Sequence, residues 1–129
     1  MKAQVFFETQ GIFLKPDVQL GVGIEGRSKM HAFDLGCLDQ KVIVECKSHT
    51  WTETGNVPSA KITTWNLAMY FFCAAPDGFR KIFFALKDYS EKRRETLLDY
   101  YLRLHDHLIP SDVEFWEYDE KTGQATRKK

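Results

Sequence analysis

Between Met30 and Leu86 the hydrophobic pattern changes period twice, and that succession restricts the chain to a small set of folds. Residues 30–37 and 41–48 are rich in Val, Ile, Phe and Leu, and Leu38-Asp39-Gln40 separates them, which is the pattern of a β-hairpin. Pro58 is preset for a first helical turn. Ile62, Trp65, Met69 and Phe72 follow at three- and four-residue spacing, so a helix with one buried face is predicted to about Ala75, stopped by Pro76-Asp77-Gly78. Lys81–Leu86 is almost wholly apolar, as in a central strand covered on both faces. Hairpin, helix and doubly covered strand together predict an α/β domain with a mixed sheet flanked by helices.

The flanks are less regular. Asp88 and Glu91 form a D-x-x-E start signal for a second helix reaching about Leu108, with a core stripe of Leu97 or Leu98, Tyr101, Leu104 and Leu108. Alternating Val113–Tyr118 predicts a last strand, and Glu120–Lys129 a frayed basic tail. Val5-Phe6-Phe7 and Ile12-Phe13-Leu14 around Gln10-Gly11 predict a short hairpin. Gly21-Val22-Gly23-Ile24-Glu25-Gly26 spells the dinucleotide-binding fingerprint, but that motif needs a helix after it to hold the pyrophosphate. Here Arg27-Ser28-Lys29 and a strand follow, so a mobile loop is expected.

A chain of 129 residues with 43% hydrophobic and 14% aromatic content suits one compact domain with a real core. No apolar run approaches the ~20 residues that cross a bilayer, and the first residues, with Glu8 among them, do not read as a signal peptide. Cys37, Cys46 and Cys73 are too scattered for a disulfide framework or a CxxC knuckle, so a reduced, cytoplasmic protein is expected. The formal net charge of zero argues weakly against nucleic-acid binding, although a binding face needs only local positive charge.

Chemistry concentrates in the hairpin. If the turn is centred on Asp39-Gln40, Cys37 pairs with Val42, and counting back sets Asp34 across from Glu45 with Cβ atoms ~5 Å apart. Alternation then groups Phe33, Leu35 and Cys37 with Val42, Val44 and Cys46 on an apolar face, and Asp34, Glu45 and Lys47 on the other. Two carboxylates that close require a proton or a cation between them. Magnesium suits the gap, because it takes one or two carboxylates, keeps waters and accepts phosphate oxygens. Other (D/E)xK triplets, Asp39-Gln40-Lys41 and Asp119-Glu120-Lys121, fall in a turn and at the tail. Spacing alone leaves open a solvent-exposed hairpin face bearing an ordinary cross-strand ion pair.

His31-Ala32-Phe33-Asp34-Leu35-Gly36 followed by Val42-Ile43-Val44-Glu45-Cys46-Lys47 resembles the PD-(D/E)xK nuclease superfamily, which has the restriction-endonuclease-like fold. The likeness covers residues 30 to about 87, and proline is absent before Asp34. It implies a magnesium-dependent nuclease, with manganese able to substitute, acting on DNA. Asp34 and Glu45 become metal ligands with the main-chain carbonyl of Cys46, and Lys47 the catalytic lysine. The family usually places a helix, often with a further acid, before the first strand; Glu8 and Glu25 are the acids available there.

Lys61 falls in the first turn of the 58–75 helix, where the macrodipole disfavours a cation, and a phosphate contact would explain it. His49, Lys29 and Arg27 are further candidate nucleic-acid contacts, and Trp51 is expected to pack on its own domain. His31, on the same strand face as Phe33, is expected to be structural. His105 and His107 cannot share a metal at i, i+2 on a helix. Cys46 points into the core and is not expected to act as a nucleophile. The rival class is a catalytically inactive nucleic-acid-binding module or subunit on the same fold. With one centre per chain, cutting both strands of a duplex would need a homodimer or two encounters.

Overall fold

The computed structural model describes residues 1–129. In chain order it contains α1 (Lys2–Glu8), β1 (Lys15–Val22), β2 (Lys29–Cys37), β3 (Val42–Lys47), α2 (Ser59–Ala74), β4 (Arg80–Leu86), β5 (Tyr89–Ser90), β6 (Glu95–Thr96), α3 (Leu97–Leu104), a 3₁₀ turn at Asp106–Leu108, β7 (Val113–Asp119) and β8 (Gln124–Arg127). Six strands form one mixed sheet in the order β1-β2-β3-β4-β7-β8, while β5 and β6 make a separate small hairpin. β4 lies parallel to both neighbours, β3 and β7, and all other pairings are antiparallel. No helix is long and apolar enough to cross a membrane.

Both faces of the sheet are covered. Ile43, Phe83 and Phe115 meet Ile62, Trp65, Met69 and Phe72 of α2 and Leu97, Leu98 and Tyr101 of α3. Leu35, Val44, Ile82 and Phe84 meet Ala3 and Phe7 of α1. The α/β class, α2, the hairpin β2–β3 and the doubly buried β4 are as the periodicity predicts.

Four local expectations are corrected. Val5-Phe6-Phe7 lies in helix α1, because Ala3 and Phe7 at i, i+4 bury together against the sheet, and this packing overrides weak β propensity in a short segment. Gln10-Gly11 is the turn that ends α1, with Gly11 at φ 80. Asp88 caps no helix: its carboxylate accepts the Trp51 backbone N–H and its carbonyl the Trp51 indole N–H. The chain then turns through β5–β6, with Arg94 at φ 58, and α3 starts at Leu97 under the Thr96 hydroxyl, which accepts the Asp99 N–H at 3.1 Å. Leu104 and Leu108 are consequently exposed, outside the core. The basic tail is not frayed, since Gln124–Arg127 pairs antiparallel with β7 and the Lys128 N–H donates to the Phe115 carbonyl.

The glycine-rich segment closes the β1–β2 hairpin. A Cβ on Gly23 would lie 1.7 Å from the Arg27 carbonyl oxygen, and the Gly23 N–H donates to the Ala74 carbonyl at the end of α2. The glycine serves backbone contact, and no helix follows it to hold a dinucleotide. Gly23→Ala should therefore lower the stability measured by urea unfolding by about 1–3 kcal/mol, while Gly26→Asn, at φ 75 with open space around it, should change it little.

Candidate active site

The site forms where β2 and β3 part. Their ladder runs only from Cys37↔Val42 to Leu35↔Val44. Beyond it β2 continues along β1, and β3 along β4 to Lys47. Asp34 and Glu45 stand at the mouth of this opening, the next pair in the register that the turn predicts. The Asp34 carboxylate accepts the Cys46 backbone N–H at 2.8 Å, a bond that replaces the missing ladder partner. N–H and C=O of one strand residue point to the same side, so the Cys46 carbonyl also faces the opening.

The face assignment needs correcting. Phe33 packs on the α2 side of the sheet and Leu35 on the α1 side, so alternation breaks at Asp34. The break coincides with Asp17 across the ladder in β1, whose left-handed φ of 53 twists that strand between Val18↔Phe33 and Pro16↔Leu35. Nor is the acidic face solvated. Glu45 is 5% exposed, beneath the helical layer that also covers Ile43, which removes the exposed cross-strand ion pair as an account of these residues.

Burial dominates the electrostatics. The Glu45 carboxyl is pushed up from 4.5 to about 8, first by desolvation and then by the charge of Asp34 and a hydrogen bond with it, with Lys47 opposing. Glu45 therefore favours its protonated form in the absence of a cation. His31 Nε2 and Glu45 Oε1 are 2.8 Å apart. The imidazole stacks on Phe71 at 3.7 Å and meets Phe33 edge-on. Burial, aided by Lys47, lowers the His31 pKa despite the opposing charge of Asp34, so both partners favour neutrality and the contact is a hydrogen bond rather than an ion pair.

Lys47 has no ion-pair or side-chain hydrogen-bond partner, yet its charge acts on Glu45, His31 and His49. His49 Nδ1 accepts the Trp65 indole N–H at 2.8 Å, which fixes its remaining proton on Nε2. Its pKa is lowered by burial and then by Lys47 and Lys61, so Lys61 lies within electrostatic reach of the centre. Burial with Asp34 and Glu45 beside it pushes the Cys46 thiol up to about 12, which makes it inert as a nucleophile. Trp51 is buried in its own core.

Other candidates lie elsewhere. Glu25 occupies the β1–β2 turn and pairs with Arg27 at 3.1 Å, and Lys29 opens β2. From Lys29 to Asp34 is roughly 16 Å along the strand. Glu8 ends α1, whereas the opposite end of that helix approaches Asp34 and Lys47. His31 is the residue whose role sequence reasoning missed. Its place beside Phe33 is legible from alternation, but that face carries Glu45 as well as the aromatic core.

No group of three or more His, Cys, Asp or Glu side chains is arranged to hold a metal. The side-chain donors brought together at the opening are the carboxyl oxygens of Asp34 and Glu45. Oxygen donors of this kind fit magnesium, which takes one or two carboxylates and retains water. No protein-family model, curated protein or solved structure matches this chain significantly.

Proposed function

We propose that the protein is a divalent-metal-dependent nuclease of the restriction-endonuclease-like kind that hydrolyses DNA phosphodiesters. The observation that carries this is the buried Glu45 carboxyl in contact with Asp34 at the parting of β2 and β3, with the unpaired ammonium of Lys47 alongside. The order of elements supports it too, because a helix does precede the first strand and the ExK strand leads into α2 and a parallel β4. Asp34, Glu45 and the Cys46 carbonyl would hold Mg²⁺, or Mn²⁺ in its place. The ion supplies Lewis acidity toward the phosphate and lowers the pKa of an attacking water.

The chain's own groups do the rest. His31 restrains Glu45 through Oε1, and the Cys46 N–H restrains Asp34, so both carboxyls are held at the opening before a cation arrives. Lys47 neutralises charge that builds on the phosphate as water attacks phosphorus and the sugar oxygen departs. Three free cysteines support a reducing, cytoplasmic setting, and two copies would be needed to cut a duplex in one encounter.

Incubation of purified protein with plasmid and with single-stranded DNA in Mg²⁺, Mn²⁺ or EDTA tests the proposal. Cleavage with either ion and none in EDTA is expected. Binding without cleavage under any ion would mark an inactive binding module instead. Lys61 tests the nucleic-acid interface separately. Its side chain is unpartnered in the first turn of α2, and Lys61→Ala should weaken DNA binding and reduce the salt slope of the affinity by about one counterion. An unchanged slope would remove Lys61 from the interface.

A further inference from the structure

On the α1 side of the sheet a cavity of about 370 Å³ opens beside Asp34 and Lys47. The apolar part of its lining comes from Ala3 of α1, Phe84 and Leu86 of β4, and Tyr118 of β7. The Lys2 ammonium sits 5.9 Å from the centre of the Tyr118 ring and has no carboxylate partner, and Ser48 and Glu120 complete the polar part of the lining. Asp34 thus borders two spaces. One holds Glu45 and His31 on the α2 side, and the other is this cavity.

The shape selects the occupant. The volume is near the small end of ligand pockets, roughly 300–1,000 Å³, so it admits one nucleoside and no duplex. The apolar part of the lining suits the faces of a base, whose polar edge would meet Ser48 and Glu120. Lys2 and Lys47 place positive charge where the flanking phosphates would run. A paired base cannot enter without leaving its stack, at a cost that unpaired strands do not bear.

We propose that this cavity receives an unpaired nucleobase next to the phosphate being cut, which makes single-stranded DNA the substrate class. The inference rests on the nuclease proposal for the same centre. Leu86 is half-buried and Ser48 exposed, and both line the cavity, so a tryptophan at either position would occupy it.

Three probes separate the possibilities: bis(p-nitrophenyl) phosphate, a short oligothymidylate, and an abasic chain with the same number of phosphates. The wild-type protein should bind the oligothymidylate about tenfold or more tighter than the abasic chain, and cut it faster than a duplex of equal length. Leu86→Trp should bring oligothymidylate binding down to the abasic level and leave the affinity for the abasic chain close to wild type. Ser48→Trp should do the same, so a folding failure of one variant leaves the other to decide. Equal affinity for the two chains, or loss of base preference in neither variant, overturns the pocket, even if the small ester is hydrolysed. Base-dependent binding that both variants abolish, without hydrolysis of any probe, keeps the pocket and overturns the enzyme.

Discussion

Lys47→Ala is expected to lower the rate of DNA hydrolysis by about 10²–10³-fold, while the rise in unfolding temperature on adding Mg²⁺ stays close to wild type. The two readouts divide because Lys47 contributes charge near the reacting phosphate, whereas the oxygen donors belong to Asp34, Glu45 and the Cys46 main chain. The geometry makes the division sharp. Lys47 has no ion-pair partner, so its removal orphans no buried charge and creates no cavity in either core cluster. Lys47→Arg is a demanding control, since a planar guanidinium beside the half-buried strand end cannot reproduce a compact point charge. Loss of the Mg²⁺ shift together with activity in Lys47→Ala would show that the lysine organises the acid pair, and full activity in that variant would exclude it from the chemistry.

Glu45 gives the second large effect, and here the sign follows from linkage. Its carboxyl is raised from 4.5 to about 8 in the folded protein, so the folded state holds a proton that the unfolded state has released across that window. The contribution of Glu45 to the stability of the metal-free protein is therefore fully present below pH 4.5 and is lost as pH rises through 8. The depressed His31 and His49 act with opposite sign, but only below their ordinary 6.5. Between pH 6.5 and 8 the Glu45 effect stands alone and amounts to about 2 kcal/mol. Thermal unfolding in EDTA should show this decline in the wild type, and Glu45→Gln should flatten it. Mg²⁺ competes with that proton, so its stabilisation should grow from pH 6 to 8, reaching about 2.7 kcal/mol at a hundredfold excess over its Kd, and it should vanish in Glu45→Gln. A decline of equal slope in the variant would place the titrating group elsewhere.

The parts of this molecule that the sequence determines are those governed by local periodicity. The turn at Leu38–Lys41 sets the register of β2 on β3, and with it the approach of Asp34 to Glu45, because a hairpin register follows from its turn. The 3.6-residue spacing from Ile62 to Phe72 fixes the buried face of α2, and the unbroken apolar run of β4 fixes its central place. The rest depended on what lies far away in the chain. Val5-Phe6-Phe7 became helical because a sheet face was there to receive Ala3 and Phe7, and residues 124–127 became a strand because β7 offered an open edge. The burial of Glu45 was invisible for the same reason: alternation says which side of a strand a residue occupies, but not whether a helix covers that side. Only tertiary packing set His31 against Phe71 and Glu45, parted β2 from β3, and left the cavity beside Asp34. A carboxyl's proton affinity depends on the dielectric and charges around it, and those are supplied by residues distant in sequence.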